Sequence, residues 1–153
     1  LATLNGSLFC FFGNFAKFVE TKHKAMIQAN ELRIGNLIYI NEVAREVSAI
    51  EPYGVTFQYI DVHVDTGYAG FENITPITIT EEWLLKAGFE YLDYGYFKRH
   101  TESQTNLDWN LETGLYLVND NGEELKEFDH IQYVHQLQNL YFALTGKELE
   151  FKL

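Results

Sequence analysis

From Met26 onward, short runs of β-branched and aromatic residues follow one another with turn signals between them, and only two stretches keep a helical period. That order constrains the fold more than any other feature of the chain. Neighbouring parallel strands need a crossover of roughly a dozen residues or more, usually a helix. Strands that follow one another through brief turns must therefore pair antiparallel, so an α+β fold is predicted and a doubly wound nucleotide-binding fold is not.

In the first half, Leu32 to Ile40 is apolar and β-branched with an Ile-Gly-Asn interruption. Val47 to Ile50 and Val55 to Val64 repeat that composition on either side of Glu51-Pro52-Tyr53-Gly54, where Pro presets φ and Gly accepts a positive one. With Ile74 to Ile79 these segments predict four or five short antiparallel strands, forming a small curled sheet or SH3-like barrel with Gly35 at a bend. A helix is predicted over Thr80 to Ala87. Thr80 stands at the cap, Glu81 and Glu82 fill the first turn, and Ile79 can staple to Leu84. Gly88 supplies the left-handed residue that ends it, and Phe89 the apolar contact just beyond.

Three strand-like runs come next, Glu90 to His100, Leu107 to Asn119 and Glu123 to Phe128, predicting a three-stranded antiparallel sheet. Asn121-Gly122 favours a hairpin between the last two. A second helix is predicted from Asp129, capped through its spacing to Gln132, to just before Gly146, with Val134, Leu137, Leu140, Tyr141 and Leu144 on its buried face. Glu148 to Leu153 alternates, which predicts a short closing strand. The chain thus divides into residues 26-79, a β-rich half, and 80-153, a helix-strands-helix half, packed together as one domain.

Residues 1-25 differ in kind. They hold three of the 11 basic residues but one of the 22 acidic ones. Met26, the only methionine, is the expected native start, with the preceding segment a non-native extension or a docking helix. Lysines follow its apolar run instead of preceding it, the reverse of a signal peptide. Cys10 is the only cysteine, which rules out an intrachain disulfide and points to the cytoplasm. No run approaches the roughly 20 apolar residues of a membrane span. The formal charge of -11 disfavours nucleic acid as a partner, because that affinity comes largely from cations that displace phosphate counterions. Lys98, Arg99 and His100 form the one basic cluster, expected at the solvated end of a strand.

Chemistry is sparse. No glycine-rich phosphate loop and no G-x-S-x-G elbow occurs, so neither a cofactor nor a catalytic residue is named. Alternation on a strand would put Asp61, His63 and Asp65 on one face, a donor set suited to a divalent cation. The polar face of a half-buried strand looks the same, and residues spaced by two need a further element to close on one ion. His130 and His135 fall on different faces of a helix, His130 in its capping turn and His135 at the surface or a satisfied boundary. Glu81 with Glu82 and Glu123 with Glu124 diverge too far to share a proton. Tyr91, Tyr94, Tyr96 and Trp109 would suit a stacking platform for bases or sugars, but on an acidic sheet they are expected to combine core positions with a contact surface for protein, where Tyr and Trp are favoured.

Residues 30–36 (NELRIGN), 76–89 (PITITEEWLLKAGF) and 131–146 (IQYVHQLQNLYFALTG) together resemble a family of uncharacterised small proteins of Bacteroidetes-type bacteria and their prophages or mobile elements. The resemblance runs from Met26 to the end. It implies a bacterial or phage cytoplasmic origin and brings no activity, cofactor or functional residue with it. Three functions follow as expectations: a non-enzymatic module of a phage or mobile element that binds a protein partner or its own copy; an acidic DNA mimic that inhibits a nucleic-acid enzyme; and a metal-dependent enzyme using Asp61, His63 and Asp65.

Overall fold

The computed structural model describes residues 26–59, 66–92, 95–100, 105–110, 113–119 and 121–152. After a 3-10 turn at Ala29–Glu31 come five strands: β1 (Leu37–Ile40), β2 (Val43–Glu51), β3 (Gly54–Gln58), β4 (Thr66–Gly70) and β5 (Ile74–Thr75). They form one antiparallel sheet in the order β4-β3-β2-β1-β5, with a second 3-10 turn, Phe71–Asn73, leading from one outer strand to the other. The expected strand over Leu32 to Ile40 begins only at Leu37. Gly35 takes a φ of 90°, Asn36 Oδ1 accepts the Arg33 N–H at 2.7 Å, and this turn occupies the residues before the strand. The β1–β2 hairpin turns on Asn41 and Glu42, with φ of 51° and 64°. Two residues of positive φ match the right-handed twist of the strands they join.

Alternation sorts the two faces of this sheet. Ile38, Ile40, Val47, Val55, Phe57, Ala69 and Ile74 are buried together beneath Ile27 and Leu32. On the other face Leu37, with half-buried Tyr39 and Ala44, packs against Ile77, Trp83 and Val134 from the second half. A bulge between Val47 and Ala49 in β2 re-phases the strand on the way.

Helix α1 (Glu81–Lys86) lies where predicted. Its end follows the expected chemistry closely: Gly88 has φ 78°, its N–H donates to Leu85 C=O at 2.9 Å, and the Phe89 N–H donates to Leu84 C=O at 3.0 Å. Two of the carbonyls the helix leaves unpaired are satisfied by this motif, while Phe89 packs into the cluster that holds Leu84. Thr80 sits at the cap, yet its side chain makes no capping hydrogen bond.

All three expected runs of the second sheet are strand. The first two fold back on themselves, so the sheet counts five: β6 (Glu90–Leu92), β7 (Gly95–His100), β8 (Thr105–Asn110), β9 (Gly114–Val118) and β10 (Glu124–Phe128), in that spatial order. Gly114, with φ 105°, marks one of the extra turns. At the Asn121-Gly122 hairpin only Gly122 has a positive φ, and Gly122 N–H donates to Asn119 C=O at 3.0 Å. The Asn119 side chain accepts from the Asn121 and Glu123 N–H groups, both at 2.9 Å. The result is the longer, bulged hairpin in place of the tight two-residue turn.

Helix α2 (Val134–Thr145) begins five residues later than predicted from Asp129. Tyr133, not Asp129, is its cap, because residues 131–133 are drawn alongside residues 77–79: Ile79 N–H donates to Gln132 C=O at 3.0 Å and Val134 N–H to Ile77 C=O at 2.9 Å. Gln136 Oε1 accepts the Gln132 and Tyr133 N–H groups at 2.9 and 3.2 Å and closes the first turn. Val134, Leu137 and Tyr141 are buried as expected, with Leu140 and Leu144 half-buried against the same core. Full burial of Val134 or Leu137 contributes about 1.5–3 kcal/mol. The predicted closing strand is not one. Residues 148–152 form no regular secondary structure and Leu149 is buried, but Lys152 N–H donates to Lys86 C=O at 2.9 Å, the end of a helix and not a strand partner.

A polar clamp joins α2 to the turn ahead of β1. Gln138 Oε1 accepts the Leu37 N–H at 2.8 Å, and its Nε2 donates to Gly35 C=O at 2.9 Å. Asn139 Oδ1 accepts from Asn36 Nδ2 at 3.0 Å, and its own Nδ2 donates to Glu31 C=O at 2.7 Å. Arg33 closes the edge with a 2.8 Å ion pair to Glu148, its guanidinium 3.7 Å above the Phe142 ring.

Candidate interaction surface

Register builds the candidate surface one strand at a time. Across the second sheet Tyr91 lies opposite Tyr96, Tyr96 opposite Trp109, Trp109 opposite Leu115, and Leu115 opposite Phe128. Directly opposed residues of an antiparallel sheet share a face, so these positions form one row from β6 to β10. The character of the row changes along its length. Leu115 is fully buried, and Trp109 and Phe128 pack half-buried on the same core as Leu137 and Tyr141. At the β6 end the row comes into the open: Tyr91 is 59% exposed and its neighbour Leu92 37% exposed. The sheet thus extends past what covers its centre.

The outer strands differ in how they are guarded. β10 carries Glu124, Lys126 and Glu127 around exposed Leu125, and charge on an edge discourages pairing with another chain. β6 is exposed at all three residues, and only Glu90 is charged. Of the four aromatics singled out in the sequence, Trp109 is therefore a core residue and Tyr91 an exposed edge residue. For Tyr96 the structure describes the backbone, and Tyr94 lies outside the described residues.

Asp61, His63 and Asp65 lie outside the described residues as well. Among those described, no group of three or more His, Cys, Asp or Glu side chains is placed to hold a metal ion. Lys98, Arg99 and His100 occupy the last half of β7, opposite Leu107, Asn106 and Thr105. The carboxylate pairs separate as expected. Glu82 reaches Lys86 at 2.7 Å, and Glu123 accepts from Asn119 Nδ2 at 2.7 Å.

Two titratable groups escaped the sequence reading. His135, expected at the surface or a satisfied boundary, is 1% exposed, with neither ring nitrogen hydrogen-bonded; its ring stacks on Tyr133 at 5.9 Å. Burial lowers its pKa, opposed by the negative charge of Glu31. Asp108, on the face opposite Trp109, has its pKa raised first by burial and then by Glu124. No pattern of spacing singles out either one, since each depends on what the neighbouring strands and helix bring against it. His130, by contrast, is exposed, with its Nδ1 3.5 Å from Asp129.

Among the described residues no helix is long and apolar enough to cross a membrane. No protein-family model matches the chain, and comparison with curated proteins and with solved structures gives no match either.

Proposed function

We propose that the chain is a non-enzymatic protein-interaction module that works through the β6 edge. The observation that carries this reading is the thinly charged outer strand Glu90–Leu92, exposed at every residue and bearing Tyr91 and Leu92. An incoming strand would gain main-chain hydrogen bonds along β6 and bury both side chains, the two ingredients of recognition by strand addition. A second copy of the chain is the simplest partner, because an antiparallel pairing of β6 with itself repeats the same contacts twice. We read the first sheet as an SH3-like barrel left open between β4 and β5, on the strength of its five short strands, tight turns and the 3-10 turn at 71–73. A cytoplasmic setting rests on the single cysteine, and a place in a phage or mobile element on the family resemblance.

Light scattering across a concentration series tests the reading. Association is expected, and Leu92→Lys should weaken it by roughly tenfold or more, the loss of one well-buried contact at an interface. A strictly monomeric protein that also recovers no partner in a pull-down from bacterial lysate would defeat it.

A further inference from the structure

At the end of the first sheet where β4 finishes, the β1–β2 turn, the β2–β3 turn, the last residues of β4 and the 3-10 turn at Phe71–Asn73 border an open cleft of about 500 Å³. Asn41, Tyr53, Tyr68, Gly70, Glu72 and Asn73 line it. We propose that this cleft is a binding site for a neutral oligosaccharide, independent of the β6 edge.

Tyr53 is 82% exposed and Tyr68 56% exposed, and both residues border the same cleft. Their backbone is fixed. Phe71 N–H donates to Tyr53 C=O at 3.2 Å, tying the β2–β3 turn to the 3-10 turn. Gly54 lies opposite Gly70, and a Cβ built on Gly54 would collide first with the Ala69 carbonyl oxygen and would also sit 2.8 Å from the Tyr68 hydroxyl. Absence of a side chain at this position lets the Tyr68 side chain lie close along the sheet. A cleft of this volume at the mouth of a barrel-like sheet is within the range of small-molecule sites.

The polar groups select the ligand. Glu72 lines the cleft and neither Lys nor Arg does, which opposes phosphate and other anions. A cation would use the carboxylate, the aromatic faces and the carboxamide oxygens of Asn41 and Asn73 but leave their N–H groups unused, whereas a ligand that both donates and accepts uses both ends of each carboxamide. A proline-rich peptide offers carbonyl acceptors but no N–H at its prolines for the carboxylate. Sugar hydroxyls donate and accept, and the C–H face of a sugar ring packs on an aromatic ring. Asn73 Nδ2 donates to Glu72 Oε1 at 3.0 Å, which holds the two planar groups side by side for adjacent hydroxyls.

Calorimetric titration of the full chain with cello-, chito- and xylo-oligosaccharides tests the proposal. At least one series should bind. Tyr53→Ala and Tyr68→Ala should each weaken it roughly tenfold or more, as loss of a stacking ring does elsewhere, whereas Tyr53→Phe should retain most of the affinity. Thermal melting of Tyr53→Ala should match the parent, since the ring is mostly exposed. The proposal is overturned by no binding of any series at millimolar sugar, by binding that survives both alanine substitutions, or by a proline-rich peptide or tetramethylammonium that binds with the same tyrosine dependence where the sugars do not.

Discussion

His135 shows how a helical pattern can be read correctly and still miss the residue that matters. Periodicity placed Val134, Leu137 and Tyr141 on the covered face, and they are there. The covered arc is wider than that face, because α2 meets the first sheet through Gln138 and the second through Leu137, so His135 is enclosed with them. Its lowered pKa has a stated consequence for stability. In the folded chain the neutral ring is favoured, whereas in the unfolded chain it titrates near 6.5. Below that pH the unfolded state takes up a proton that the folded state resists, so this residue makes stability fall as pH drops from 6.5 toward the lower folded value. Urea unfolding at a series of pH values should show that fall, and His135→Leu should flatten it. Because neither nitrogen is hydrogen-bonded, the same substitution should change stability at pH 7.5 by no more than about 1 kcal/mol.

Among the elements, legibility followed the backbone chemistry of single residues. The end of α1 could be read because only a residue that tolerates positive φ can occupy Gly88, and the apolar contact of Phe89 came with it. Its beginning was less faithful: Thr80 stands in place but its side chain makes no capping hydrogen bond. Gly88→Ala should therefore cost about 1–2 kcal/mol, whereas Thr80→Ala should stay within about 0.5 kcal/mol instead of the usual cost of a lost cap. Chemical denaturation of the two variants measures the contrast. The hairpins inside the two long strand runs were missed for the complementary reason. Gly95 and Gly114 each stand alone within a strand-like run, where a lone glycine reads equally as a bulge. α2 started late because pairing of residues 131–133 with 77–79 outweighed the local capping signal at Asp129.

For the molecule as a whole, the sequence indicated the mixed, sheet-rich class but not how the halves meet. That depends on partners about a hundred residues apart. Leu37, Ile77, Trp83 and Val134 form one cluster, and the Phe151 ring meets Trp83 edge-on at 5.7 Å. Beside it, Gln138 is 3% exposed and bonds both the Leu37 N–H and the Gly35 C=O. Gln138→Ala would leave two main-chain groups without their partner at a buried joint, at a cost of about 3 kcal/mol. Tryptophan fluorescence and far-ultraviolet circular dichroism should shift together in this variant, as a single transition. Two separate transitions would mean that the halves unfold independently.

The clamp also bears on how such chains can diverge. From the turn ahead of β1 it takes mainly peptide groups, the Glu31 and Gly35 carbonyls and the Leu37 amide, while Ile34 stands 63% exposed beside them. From α2 it takes two particular carboxamides, Gln138 and Asn139. Drift at Ile34 would leave the contacts whole as long as the turn keeps its shape, but a change at either carboxamide would not. Distant kin should be easier to detect by the spelling of that helix than by the loop it grips.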